Sequence, residues 1–275
     1  MDFILELLKV TFLGIVQGIT EWLPISSTGH MILVDKFLNL QGSASFISVF
    51  MVVIQFGSII AVVLLYWNKL NPLKKKNDKF YIEQDVMSMW MKVIVGCIPA
   101  AIVGVFFDDF FEKYFYNPVS IAIMLIIFGV LFIVVENNNK GKKPKINSIA
   151  EMSYQTVFII GVFQLIAAMF PGTSRSGATI VGALMIGVSR YAATEFTFFM
   201  SVPVMFGASL LKIVKAGFAF TGAEVVLMLA GMFVAFIVSV VAIRFLLNYI
   251  KKNDFKVFGW YRIILGIIVL VFSFV

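Results

Sequence analysis

The stretch Gly14-Ile15-Val16-Gln17-Gly18-Ile19-Thr20-Glu21-Trp22-Leu23-Pro24-Ile25-Ser26-Ser27-Thr28-Gly29-His30 decides the fold, because the chain contains a version of it twice. The second version is Gly161-Val162-Phe163-Gln164-Leu165-Ile166-Ala167-Ala168-Met169-Phe170-Pro171-Gly172-Thr173-Ser174-Arg175-Ser176-Gly177. At a shift of 147 positions Gly14, Gln17, Ile19, Pro24 and Ser27 fall on Gly161, Gln164, Ile166, Pro171 and Ser174. At the same shift Glu21, Thr28 and His30 fall on Ala168, Arg175 and Gly177. A duplicated scaffold has taken different chemical parts in its two copies.

The chain of 275 residues is 61% hydrophobic and 13% charged, with a mean hydropathy of +0.99. That composition excludes a soluble domain and implies an all-α polytopic membrane protein, with 1–275 as a single membrane domain. Uncharged stretches from Phe37 to Asn68, Tyr114 to Val135 and Val225 to Ile243 reach spanning length, and Met87 to Phe107 carries only Lys92. Phe196 to Leu211 and Val257 to Phe274 bring the expectation to about six transmembrane helices. No cleavable signal peptide is expected, since Met1-Asp2 lacks a basic n-region and the first apolar stretch runs into Glu21 and Pro24.

The net charge of +7 collects in three loops, around Lys69 to Lys79, Lys140 to Lys145 and Lys251 to Lys256. This is the positive-inside pattern, and it calls for no nucleic-acid partner. With those loops cytoplasmic, the acidic Asp108-Asp109-Phe110-Phe111-Glu112 turn, the Gly217 to Gly222 turn and both termini lie outside. Cys97, the single cysteine, reads as a small core residue.

Three spans then fall in each half. The first repeat, 1–136, holds a re-entrant pair near 3–40 and spans near 46–67, 87–107 and 117–136. The second, 150–275, holds a re-entrant pair near 153–188 and spans near 194–215, 224–246 and 258–274. An odd number of spans inverts the second half, and Pro24 and Pro171-Gly172 break the two motif helices midway. Inverted repeats with broken helices place irregular backbone near the midplane, where the two tips can meet around a polar ligand.

Gln17 and Glu21 stand one helical turn apart and share a face. A carboxylate at membrane depth is costly, so Glu21 reads as functional; with Gln17 it can hold a hard divalent cation. Ser26, Ser27, Thr28 and His30 suit a second helix start, where free N–H groups and the positive dipole end favour phosphate. Part of the serine content is capping alone. His30, the only histidine, can act as acid, base or nucleophile, and Ser27 can attack or orient phosphorus. The second copy offers Thr173, Ser174, Ser176 and Thr179 at another helix start, with Arg175 as a guanidinium fitted to phosphate. Arg175 has no Asp or Glu within fifteen residues and needs an anion from elsewhere, either Glu21 across the repeat interface or a phosphate. The set fits phosphoryl transfer.

The Gln17-x-x-x-Glu21 segment, Ser26 to His30 and Pro171 to Thr179 resemble the signature motifs of bacterial undecaprenyl-diphosphate phosphatases of the bacitracin-resistance type. The resemblance covers essentially the whole chain, Gly187 to Phe196 included. It implies hydrolysis of undecaprenyl diphosphate to undecaprenyl phosphate and inorganic phosphate, which recycles the lipid carrier of peptidoglycan synthesis in the bacterial plasma membrane. It further implies catalytic roles for Glu21, Ser27, His30 and Arg175, phosphate contacts from the neighbouring hydroxyls, and magnesium or calcium as cofactor. Gln17 stands where many members carry Glu, so the position needs only an oxygen ligand. The cavity is expected to open outward, and a homodimer is left open. A carrier-lipid flippase using the same site is the main alternative. An acid-phosphatase-like lipid phosphatase is disfavoured, because it needs a second His downstream.

Overall fold

Pro24 and Pro171 each interrupt an apolar helix, and the chain resumes as a second, shorter helix after a few residues. In the computed structural model, which describes residues 3–76, 78–216 and 220–273, these breaks separate α1 (Phe3–Thr20) from α2 (Ser27–Leu38) and a later equivalent pair. Residues 217–219 of the expected Gly217 to Gly222 turn and both chain ends lie outside the described residues. After α2 come α3 (Ala44–Leu65), the single turn α4 (Trp67–Leu70), a hairpin of β1 (Leu73–Lys76) and β2 (Lys79–Ile82), and α5 (Gln84–Phe106). Then follow α6 (Asp108–Phe115) and α7 (Pro118–Asn139), which close the first half. The second half runs α8 (Tyr154–Met169), α9 (Arg175–Met185), α10 (Arg190–Ala216), α11 (Gly222–Ile250) and α12 (Lys256–Phe272).

The protein is a multi-pass membrane protein. The six expected spans correspond to α3, α5, α7, α10, α11 and α12. Among the described residues six helices are long and apolar enough to cross a bilayer, but they are α1, α3, α5, α7, α10 and α11. Helix α1 joins the set because 18 residues precede the Glu21–Pro24 break, and α12, with 17 described residues, stands at the short end of spanning length. Two loops also differ from expectation. The lysine-rich segment after α3 forms an antiparallel hairpin with Leu73 opposite Ile82, and the acidic stretch from Asp108 is helical.

The halves are laced together by exchange. Helix α1 packs on α11 of the other half, and α8 packs on α5. Glycine permits both approaches: a Cβ at Gly14 would lie 2.7 Å from the Gly231 carbonyl oxygen, and one at Gly161 would collide with the Gly96 carbonyl. The α7–α12 contact is equally close and equally reciprocal. A Cβ at Gly129 would lie 2.7 Å from the Gly259 carbonyl oxygen, and one at Gly266 2.9 Å from that of Ala122. Adding 137 to Gly129 and Ala122 gives Gly266 and Gly259, so α12 repeats the contacts of α7. Small residues at such contacts let dispersion and packing hold helices together where lipid removes the hydrophobic drive.

Polar ties secure the periphery. Lys92, the lone cation of α5, is buried and donates to the carbonyls of Ile149 and Ala150. Glu136 of α7 accepts from Arg190 of α10 at 2.9 Å and from the Phe255 backbone N–H at 3.0 Å. Cys97 is buried and free.

Because the atoms facing Gly161 are backbone and cannot yield, Gly161→Ala is expected to lower stability in detergent by about 1–3 kcal/mol. Gly104→Ala, on α5 but with nothing within 4 Å of its Cβ, is expected to leave the melting temperature unchanged or raised. Thermal unfolding of the two purified variants measures the contrast.

Candidate active site

Each break ends in a strained serine. Ser26 and Ser174 have φ of 71° and 68°, a region that L residues occupy at a cost of about 1–3 kcal/mol and that clusters at functional sites. Each caps the helix that follows: Ser26 Oγ accepts from the Gly29 N–H at 3.4 Å, and Ser174 Oγ from the Gly177 N–H at 3.2 Å. The caps are therefore equivalent at a shift of 148, one more than the shift of the helices before the breaks. The reason is local. Two residues, Gly172 and Thr173, separate Pro171 from its cap, where Ile25 alone follows Pro24. Hence Ser27 is the structural counterpart of Arg175, Gly29 of Gly177, and His30 of Ala178, a correction to the register of the sequence comparison beyond the prolines.

Glu21 lies in the first break and joins the copies. Arg175 Nη2 donates to its Oε1 at 2.6 Å, across 154 positions of chain. Ser27 Oγ and Gln17 Nε2 both donate to its Oε2 at 3.0 Å. The side chains of Arg175 and Glu21 are only 14% and 9% exposed, so the pair is formed with little water around it. Arg175 is further steadied by the Thr197 carbonyl at 3.3 Å and Met205 Sδ at 3.0 Å. Ser176 Oγ contacts the Glu21 carbonyl at 3.4 Å and Ser174 Oγ at 3.2 Å.

His30 stands beside this network rather than in it. Its Nδ1 lies 2.8 Å from the Ser26 carbonyl oxygen, which can only accept, so Nδ1 carries the proton. In the neutral imidazole its Nε2 is then the acceptor for the Tyr261 hydroxyl at 2.7 Å. The two rings stack with centroids 5.6 Å apart.

The remaining hydroxyls divide. Thr28, partly exposed in the first turn of α2, sits where helix N–H groups lack intrahelical partners. Thr173 Oγ1 is buried without a hydrogen-bond partner among the described residues. Thr179 is buried and commits its hydroxyl to the Arg175 and Ser176 carbonyls and to Thr197 Oγ1 at 2.8 Å, so it locks α9 to α10. Gln164, the counterpart of Gln17, is 1% exposed and has no carboxylate partner among the described residues, because Ala168 stands where the first copy has Glu21.

A resident metal cage is absent among the described residues: no three of His, Cys, Asp or Glu gather to hold an ion. Glu21 can still anchor a magnesium-like cation whose other ligands are phosphate oxygens and water. Gln17 turns its NH2 toward Glu21, so service as an oxygen ligand requires rotation of the amide.

Besides Met205, three residues of the site were not singled out in the sequence. Thr197 and Tyr261 sit in helices read as ordinary spans. Arg262, 0% exposed, lies in the segment read as the last span and binds the Pro24, Gly172 and Thr173 carbonyls. An arginine inside an apolar run was the available signal for it.

A family model described as bacitracin resistance protein BacA matches residues 10–268. The chain is 62% identical over 269 residues to an undecaprenyl-diphosphatase of Desulfitobacterium hafniense, covering 98% of this chain and 96% of that protein. It is 62% identical over 268 residues to undecaprenyl-diphosphatase 1 of Clostridium acetobutylicum, with 98% and 97% covered. An undecaprenyl-diphosphatase of Enterococcus faecalis is 58% identical over 274 residues, covering 99% of each chain.

Glu21→Gln and Arg175→Gln are each expected to destabilise the protein, and the double variant by less than their sum. Thermal melts of the four proteins should return a coupling of about 0.5–3 kcal/mol, and strictly additive losses would rule the contact out.

Proposed function

The chain belongs to the bacitracin resistance protein BacA family, and from that premise we propose that it hydrolyses undecaprenyl diphosphate to undecaprenyl phosphate and inorganic phosphate, recycling the lipid carrier of cell-wall synthesis. The observation that carries the reading is the Glu21 carboxylate, which holds Arg175 on one oxygen and the Ser27 hydroxyl on the other. It joins a carboxylate, a hydroxyl and a guanidinium in a single contact network, which supports their reading as base, nucleophile and anion binder.

Substrate binding would exchange the partners of Arg175. The terminal phosphate competes with Glu21 for the guanidinium, and the N-termini of α2 and α9 add N–H groups with Thr28, Ser174 and Ser176 at hand. Glu21 is thereby released to act on Ser27. Ser27 Oγ attacks the terminal phosphorus, its proton passes to Glu21, and the bond from that phosphorus to the bridging oxygen breaks to release undecaprenyl phosphate. Water then attacks the phosphoserine, losing its proton to Glu21 once that carboxyl has been relieved of the first one, and inorganic phosphate leaves. His30, held through Nδ1 by the Ser26 carbonyl, has Nε2 turned to Tyr261 and free to take a proton, so it would serve as a relay rather than in attack: Nε2 takes up the first proton from Glu21 and passes it to the departing phosphate oxygen. A divalent cation, magnesium or calcium, would be held by Glu21 and a rotated Gln17, and would neutralise diphosphate charge. The lysine-rich loops favour a topology with both termini and the site's opening on the extracytoplasmic face of the bacterial plasma membrane.

Phosphate release from undecaprenyl diphosphate by the purified protein tests the reading. Glu21→Ala, Arg175→Ala and His30→Ala are each expected to lose about a thousandfold or more in rate while still inserting. Ser27→Ala should match them, and acid quenching of wild type during turnover should trap phosphoserine at position 27; trapped phosphohistidine, or no phosphoprotein at all, would move attack to His30 or to water. Chelation of divalent cations with EDTA should abolish turnover, with recovery on adding back magnesium or calcium. Full activity in EDTA would remove the cation from the scheme.

A further inference from the structure

Arg262 is buried at 0% exposure and no carboxylate is bonded to it among the described residues. Its Nη1 donates to the Pro24 carbonyl at 3.3 Å, and its Nη2 to the carbonyls of Gly172 at 3.0 Å and Thr173 at 2.6 Å. One guanidinium thus binds the free carbonyls of both breaks at once. Pro24 lies three positions after Glu21, and Thr173 two before Arg175. The fork therefore sets the distance between the loops that carry the ion pair.

The two halves differ at this point in an informative way. The shift of 137 that relates α7 to α12 makes Leu125 the counterpart of Arg262. Leu125 sits against Gly29, with its Cδ1 3.1 Å from where a Cβ would stand. Arg262 sits against the equivalent Gly177, with Nη1 only 2.7 Å from the corresponding Cβ position. The same niche holds a leucine in one half and a cation in the other. Packing alone is satisfied by leucine, so the arginine answers a different need.

We propose that Arg262 is a positioning residue for diphosphate hydrolysis: it clips the two broken-helix tips together and so holds Glu21 and Ser27 in register with Arg175, through a niche that Gly177 keeps open. This rests on the phosphatase reading for its kinetic part. The Pro24, Gly172 and Thr173 carbonyls cannot be bonded by helix continuation, because each lies at an interrupted end. A planar fork with several donors in fixed geometry meets carbonyls from two directions, which a lysine ammonium on a flexible stem cannot do with the same rigidity. Reacting groups misplaced by about 1 Å lose about a hundredfold in rate.

The test uses the full-length protein in detergent with undecaprenyl diphosphate. Arg262→Leu installs the residue that the other half accommodates in the same niche. Arg262→Lys keeps the charge and loses the fork. Both are expected to lose about a hundredfold in kcat with KM changed by less than about threefold. Recovery by lysine, or a loss confined to KM, would show a charge acting on substrate and overturn the positioning role. Gly177→Ala pushes on the guanidinium without changing any residue of α12 and is expected to cost at least about tenfold in kcat. In the Arg262→Leu background the same substitution should cost little, and equal costs in both backgrounds would overturn the proposal. If Arg262→Leu does not fold, Arg262→Lys and Gly177→Ala decide alone, and wild-type kcat in both would overturn it. Thermal melts of the Gly177–Arg262 cycle read the niche without reference to turnover. Melts that couple while wild type releases no phosphate would refute the phosphatase reading and leave the clip standing.

Discussion

A carboxylate and a guanidinium 2.6 Å apart, drawn from positions 154 residues apart in an apolar chain, are the constraint on which the rest of the structure depends. Neither charge is tolerable alone at that depth. A lone Glu21 or a lone Arg175 would stand in a medium too poor in water to solvate it, so the two broken helices must bring their tips together. The pair is also not sealed off. It retains some exposure, and a phosphate can take over the guanidinium, because the Arg–phosphate bond replaces the Arg–carboxylate bond in kind.

Meeting tips require irregular backbone inside the protein, and each irregularity has its own compensation. Strained serines cap the helices that resume after the breaks. Thr179 and Thr197 tie the base of α9 to α10. Arg262 takes up carbonyls that no helix continues to satisfy. Glycines at the α1–α11, α5–α8 and α7–α12 contacts let the surrounding helices approach closely enough to hold those tips. The polar site is therefore supported by an apolar, glycine-rich frame in which each half supplies a wall for the other half's broken helix.

Much of this was readable in the amino acids. The proline breaks, the hydroxyl-rich helix starts and the isolated charges at Glu21 and Arg175 are local features, and local chemistry states their consequences directly. Other features were hidden for definite reasons. The hairpin pairs β1, three of whose four residues are lysine and read as loop, with β2, Lys79-Phe80-Tyr81-Ile82, and the pairing shows only when Leu73 meets Ile82. The register slip between the copies comes from one extra residue after Pro171, which identity matching at a constant shift absorbs as a coincidence of serines. Tyr261 and Arg262 were read as part of a span, since hydropathy averages over a window and an arginine inside it is diluted by its apolar neighbours.

Hydrophobicity, proline geometry and helix capping act within a few residues, so the class of the fold, the two breaks and the chemical types available at them follow from the order of amino acids alone. The partners come from the packing of distant segments. That packing set Arg175 on Glu21, gave the Ser27 proton a carboxylate to face, turned His30 toward Tyr261, and placed Arg262 between the loops. Such contacts depend on how α7 and α12 cross and how close the glycines let them come. That geometry is a property of packed surfaces, and no window of adjacent residues contains it.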